Sequence, residues 1–142
     1  MTLAALERPV RAGQLKAEAP AAEEIAALVR SGETRLKDAT NPELALESRF
    51  DLAYNAAHAL SLAALRFHGY RSENRYLVFQ ALAHTIGLAS EKWRVLDDAH
   101  RKRNSIEYEG VAHIDDQLVA AIIRVAGEVG ERVREIVNSK KS

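Results

Sequence analysis

The sequence predicts an all-α fold, an antiparallel bundle of about five helices. Apolar residues recur at three- and four-residue intervals over most of the chain, and no segment alternates apolar and polar residues as a half-buried strand would. Helix-stopping residues such as Asn41-Pro42, Gly69 and Gly87 separate the periodic stretches by short connections. Connections that short make sequential helices mostly antiparallel. The chain has 142 residues, 47% of them apolar, which suits one domain with a buried core.

The elements follow in order. Residues 1–19 read as an N-terminal arm or short helix before the main domain, punctuated by Pro9 and Gly13; order against the bundle or a partner is an open alternative for it. The helical domain occupies residues 20–138, and a disordered tail is expected over 139–142. The first helix runs from Pro20 to Ala39, since proline suits a first turn in which its missing N–H has no partner anyway. Ile25, Leu28, Val29, Gly32 and Leu36 share its inner face. Asn41 should cap the second helix, Pro42 to His68. Leu46, Phe50, Ala53, Ala57, Leu60 and Ala64 make one apolar face, and Leu52, Ala56, Ala59 and Ala63 much of another. A helix apolar nearly all round belongs at the centre of a domain.

Gly69 should end that helix in a left-handed conformation, and Ser72 should cap the third, which carries Tyr76 to Ile86 and stops at Gly87. The fourth runs from Ser90 to Tyr108, with Trp93 in the core. The fifth runs from Asp115 to Val137, with Leu118, Ile122, Val125, Val129, Val133 and Ile136 as its buried stripe. Asp115 and Asp116 suit its positive N-terminal end.

Composition excludes several function classes. Lys plus Arg equals Asp plus Glu, 20 against 20, so a uniformly basic nucleic-acid binder is not expected, nor is DNA as a partner; a local basic patch is still allowed. Without cysteine there can be no disulfide or thiolate metal site. Charges interrupt every apolar stretch, and the N-terminus lacks a signal-peptide pattern, so a cytoplasmic protein away from membranes is expected.

Two features could carry chemistry. One is a narrow polar stripe on the second helix, Glu47, Asp51, Asn55 and His58. It reads either as a solvent face or as a strip lining a groove or symmetric interface, where neighbouring alanines would admit a second helix closely. The other is "HRKRNSIEYEG", residues 100–110. On a helical wheel advancing by about 100° per residue, Arg101 and Lys102 fall among solvated side chains. Arg103 falls inside the apolar arc between Ala99 and Leu96, with His100 and Glu107 on the same side and Asn104 and Tyr108 at its border. A guanidinium drawn inward needs a partner. Glu107, Asp51 and Glu47 are candidates, in which case Arg103 locks two helices together; alternatively it sits in a semi-enclosed groove and binds phosphate.

The late "RN" pair at Arg103-Asn104, the five-helix layout and the central "AYNAAHALSLAALRFHGYR" segment together resemble the HEPN domain family over residues 20–138. The resemblance implies a homodimer with its site between the two copies. Many members are metal-independent ribonucleases with an Arg, a polar residue and a His after four to six intervening positions. Others bind RNA, a nucleotide or a protein partner, and many bacterial members pair with a nucleotidyltransferase-like antitoxin. Arg103 matches the motif Arg and Asn104 the polar residue, but Tyr108, Glu109 or Gly110 stands where the His should be. His113 lies too far along. Arg94 to His100 fits the bare spacing, yet Arg94 projects to solvent on the wheel and precedes Val95.

A tyrosine is a poor general base near neutral pH, although its hydroxyl can hydrogen-bond phosphate. His58 or His100 would have to substitute for the missing imidazole. The implied function is therefore a binding module for RNA, a nucleotide or a protein partner, with Arg103, Asn104 and Tyr108 as a degenerate site. Asp51, Asn55, His58, His100 and Glu107 would line it. An active endoribonuclease toxin and a purely structural bundle are the alternatives. No metal or cofactor is expected. The chain has no His-x-x-x-His pair on one helical face and no P-loop or dinucleotide fingerprint, and Asp51, Asn55 and His58 resemble a ligand row only loosely.

Overall fold

A computed structural model of the chain describes residues 4–110 and 114–141; His113 lies outside them. The fold is an all-α bundle of about five helices. Helix α1 (Ala4–Arg11) is followed by a two-residue strand β1 (Lys16–Ala17) and helices α2 (Ala22–Ala39) and α3 (Leu46–Phe67). Strand β2 (Tyr70–Arg71) leads to α4 (Arg75–Gln80), α5 (Leu82–Thr85), α6 (Ser90–Glu109) and α7 (Asp116–Lys141). The third expected helix is thus interrupted into α4 and α5. Helix α7 runs past Val137 to Lys141, into the positions expected to form a tail.

Helix α3 is central. Phe50, Ala53, Ala57, Leu60 and Ala64 are buried on one face, and Ala56, Ala59 and Ala63 on the other. It packs against α2 and α7, and Ile122, Val125, Val129 and Val133 complete the core from α7. The α2–α3 pair is antiparallel. Glu24 meets Arg66, Gly32 lies against Leu60, and the Arg49 Nε–H donates to the Ala39 carbonyl at 2.8 Å. The approach at Gly32 is close: a Cβ there would sit 2.5 Å from Leu60 Cγ.

Several helix ends differ from expectation. Asn41 does not cap α3. Its Oδ1 accepts from the Glu43 N–H at 3.0 Å within a turn, and the helix starts only at Leu46. The cap of α4 is Asn74, whose side chain accepts from the Leu77 N–H. Ser72 instead ties the preceding turn to the N-terminal segment, donating to the Gln14 carbonyl and accepting from the Asn74 N–H. Gly69 has φ +88 and Gly110 φ +73, so both turns use the left-handed conformation that glycine adopts without steric cost. Asp115 Oδ1 accepts from the Leu118 N–H at the start of α7.

The N-terminal segment is built into the domain. Leu6 and Leu15 are buried with Leu65, Tyr70 and Val78. Strands β1 and β2 pair antiparallel, Lys16 opposite Arg71 and Ala17 opposite Tyr70. The strongest tie is Arg66, only 1% exposed. Its Nε–H donates to Glu24 at 2.7 Å, and its Nη groups donate to the carbonyls of Glu18, Ala19 and Tyr70. Arg71 bridges the same two acids, Glu18 and Glu24. The buried, paired arginine that locks segments together is therefore Arg66 and not Arg103.

Candidate functional site

The site is assembled around Tyr54, which α3 projects between α4 and α6. Tyr54 follows Phe50 by one turn and is wholly buried, with the two rings stacked at 6.3 Å. Phe79 of α4 meets it edge-on. Its phenol is within 3.0 Å of His100 Nδ1 on α6, and the two rings lie nearly parallel. A buried phenol needs such a partner.

Two arginines reach this ring from different helices. The guanidinium carbon of Arg103, on α6, is 5.2 Å from the ring centroid, and that of Arg75, at the start of α4, is 5.4 Å from it. Both are within cation–π range. Both side chains are half-buried, and among the described residues no carboxylate forms an ion pair with either. Arg75 Nη1 is out of contact with solvent and has no hydrogen-bond partner. The expected pairing of Arg103 with Glu107, Asp51 or Glu47 is thus replaced by the face of an aromatic ring. Asp51 and Glu107 do line a shallow depression of about 190 Å³ with Arg103 and Ile106.

His58 and His100 share the field of the two arginines. Burial, reinforced by Arg75, His100 and Arg103, pushes the His58 imidazole down to about 4. Its ring meets the edge of Phe79. Burial also lowers His100, against the opposing pull of Asp97. Both histidines are therefore neutral at pH 7. Each nitrogen of His100 is engaged: Nδ1 by Tyr54 and, at 3.4 Å, Nε2 by the Asn104 side-chain amide. With the amide donating to Nε2, Nδ1 holds the proton and donates to the phenol oxygen.

The sequence-derived residues separate accordingly. Arg103, Asn104, His100 and His58 converge around Tyr54. Asp51 and Glu107 stand at the rim near Arg103. Asn55 turns along its own helix and donates to the Asp51 carbonyl at 2.9 Å. Tyr108 is 82% exposed, one turn beyond Asn104. Arg101 is solvated and pairs with Asp97 and Asp98. Arg94 is exposed over Trp93, itself half-buried against the core. Sequence reasoning missed Tyr54 and Arg75. Tyr54 had a signal, as a polar-tipped ring one turn from both Phe50 and His58. Arg75 had none, because its position depends on where Asn74 starts α4.

Among the described residues no three His, Asp or Glu side chains converge as a metal-ligand set, and no helix is long and apolar enough to cross a membrane. A cavity of about 120 Å³ under α1 is lined by Leu6, Pro9, Leu15, Leu77 and Ala81, with Gln80 and His84 as its polar side chains. No family model, curated protein or solved structure matches the chain.

Proposed function

We propose that the chain is a HEPN-like binding module for a phosphate-bearing ligand, RNA or a nucleotide, held at the Tyr54 cluster. The observation that carries this reading is the pair of guanidiniums, Arg75 and Arg103, gathered on one buried ring without an ion-paired carboxylate among the described residues. Holding two cations half out of water is costly unless an anion offsets it. Arginine is also the side chain best suited to phosphate, because its planar fork donates two parallel hydrogen bonds.

Binding is favoured over turnover. Metal-free RNA cleavage needs a base with a pKa near working pH. His58 lies far below that range, and His100 has both nitrogens engaged within the protein. The resemblance to the HEPN family adds a second copy and a nucleotidyltransferase-like protein as partners, which light scattering and co-purification would test.

The reading is tested by titrating inorganic phosphate, AMP and a short single-stranded RNA into the pure protein, followed by NMR or calorimetry. At least one should bind, weaken with added salt, and bind about tenfold more weakly to Arg103→Ala at little change in melting temperature. If none of the three binds, the site is not a phosphate site. RNA cleavage that Arg103→Ala abolishes while the fold is intact would favour the toxin-type ribonuclease instead.

A further inference from the structure

We infer that the Tyr54 cluster takes a terminal phosphomonoester, the free phosphate end of a nucleotide or of an RNA strand, rather than a phosphodiester within a chain. The inference rests on the phosphate reading above and specifies its ligand. Charge matching is the first argument. Arg75 and Arg103 place two permanent positive charges within 5.4 Å of one ring centroid. An internal diester carries a single negative charge and would leave one guanidinium uncompensated. A terminal phosphate carries nearly two at neutral pH and offers three acceptor oxygens.

The second argument concerns the surroundings. Asp51 from α3 and Glu107 from α6 line the depression beside Arg103, and Asp97 lies near His100 while pairing with Arg101. A strand threading through would set its neighbouring phosphates against these carboxylates. A chain end sets one phosphate near these carboxylates rather than a row of them. His58, whose ring meets Phe79, makes no hydrogen bond to any described residue, so its neutral ring N–H is left to donate to the third oxygen.

The test compares AMP with the dinucleoside monophosphate ApA, which has one diester and no terminal phosphate, by calorimetry at pH 7.5. AMP should bind about tenfold or more tightly than ApA. Arg75→Gln and Arg103→Gln should each remove most of that preference. The comparison on the unaltered protein needs no variant, so a substitution that fails to fold does not blunt it. A hexanucleotide with and without a 5′-phosphate identifies the source. Tighter binding of the phosphorylated hexamer than of AMP points to an RNA end, and the reverse to a free nucleotide. Equal binding of AMP and ApA overturns the terminal-phosphate inference while the phosphate reading stands. Binding of none of these probes overturns both.

Discussion

Tyr54 has no exposed surface, yet its ring and phenol are approached by Arg75, His100 and Arg103. Much of this was legible in the sequence. The helical wheel separated Arg103 from Arg101, and a turn-by-turn reading placed His100 and Asn104 beside it. The partner was not legible, because an inward arginine can be met by a carboxylate or by a ring face and periodicity cannot choose between them. The same limit hid Arg66, whose position on α3 offers no local carboxylate. Apart from the Tyr70 carbonyl, its acceptors lie 42 to 48 residues earlier in the chain. Replacing Arg66 with Ala strands the Glu18, Ala19 and Tyr70 carbonyls and should cost about 3 kcal/mol or more in urea unfolding; a loss under 1 kcal/mol would contradict the account.

His58 makes a separate prediction. Unfolded, it takes up a proton near pH 6.5, whereas folded it resists until about 4. The unfolded state therefore binds more protons between those values, and stability falls as pH drops through that window, by roughly 3 kcal/mol in full. Glu24, held below its usual range by hydrogen bonds from Arg71 and Arg66, loses stability in the same direction. His58→Gln should flatten the curve between pH 6.5 and 4, and a slope equal to that of the unaltered protein would refute the assignment.

At the scale of elements, the positions of the helices were legible and their ends less so. Hydrophobic spacing identified the buried faces of α3 and α7 because burial imposes it directly. Capping residues misled where several candidates stood close together. Asn41 and Ser72 satisfy turns of their own; α4 is capped by Asn74 instead, and α3 starts after Ala45 with no capping side chain. The α2–α3 contact depends on Gly32, and that dependence is a property of the pair rather than of either helix. Gly32→Ala gains helix propensity of up to about 1 kcal/mol, but its methyl collides with Leu60, a wholly buried side chain whose Cδ atoms also lie against Gly130. Overpacking should win, with a net loss of about 1–2 kcal/mol measurable in thermal unfolding. An unchanged or raised melting temperature would mean that the helices separate more easily than their packing implies.

At the scale of the whole molecule, the bundle class followed from periodicity and composition, but the role of the N-terminal segment did not. Its two-residue pairing with β2 is too short to leave an alternating pattern. Its buried Leu6 and Leu15, with the carbonyls that receive Arg66, make it part of the domain. Deleting residues 1–19 should lower the melting temperature by about 5 °C or more. A truncated chain that melts like the full one would show that the segment merely rests on the surface.

In the proposed function the arginines on Tyr54 await a ligand rather than hold the fold together. The most direct measurement is a parallel AMP titration and thermal melt of the unaltered protein, Arg103→Ala and Arg66→Ala. Arg103→Ala should lose about tenfold in affinity with little change in melting temperature, while Arg66→Ala loses stability. A large drop in melting temperature for Arg103→Ala, with no AMP binding by the unaltered protein, would contradict it.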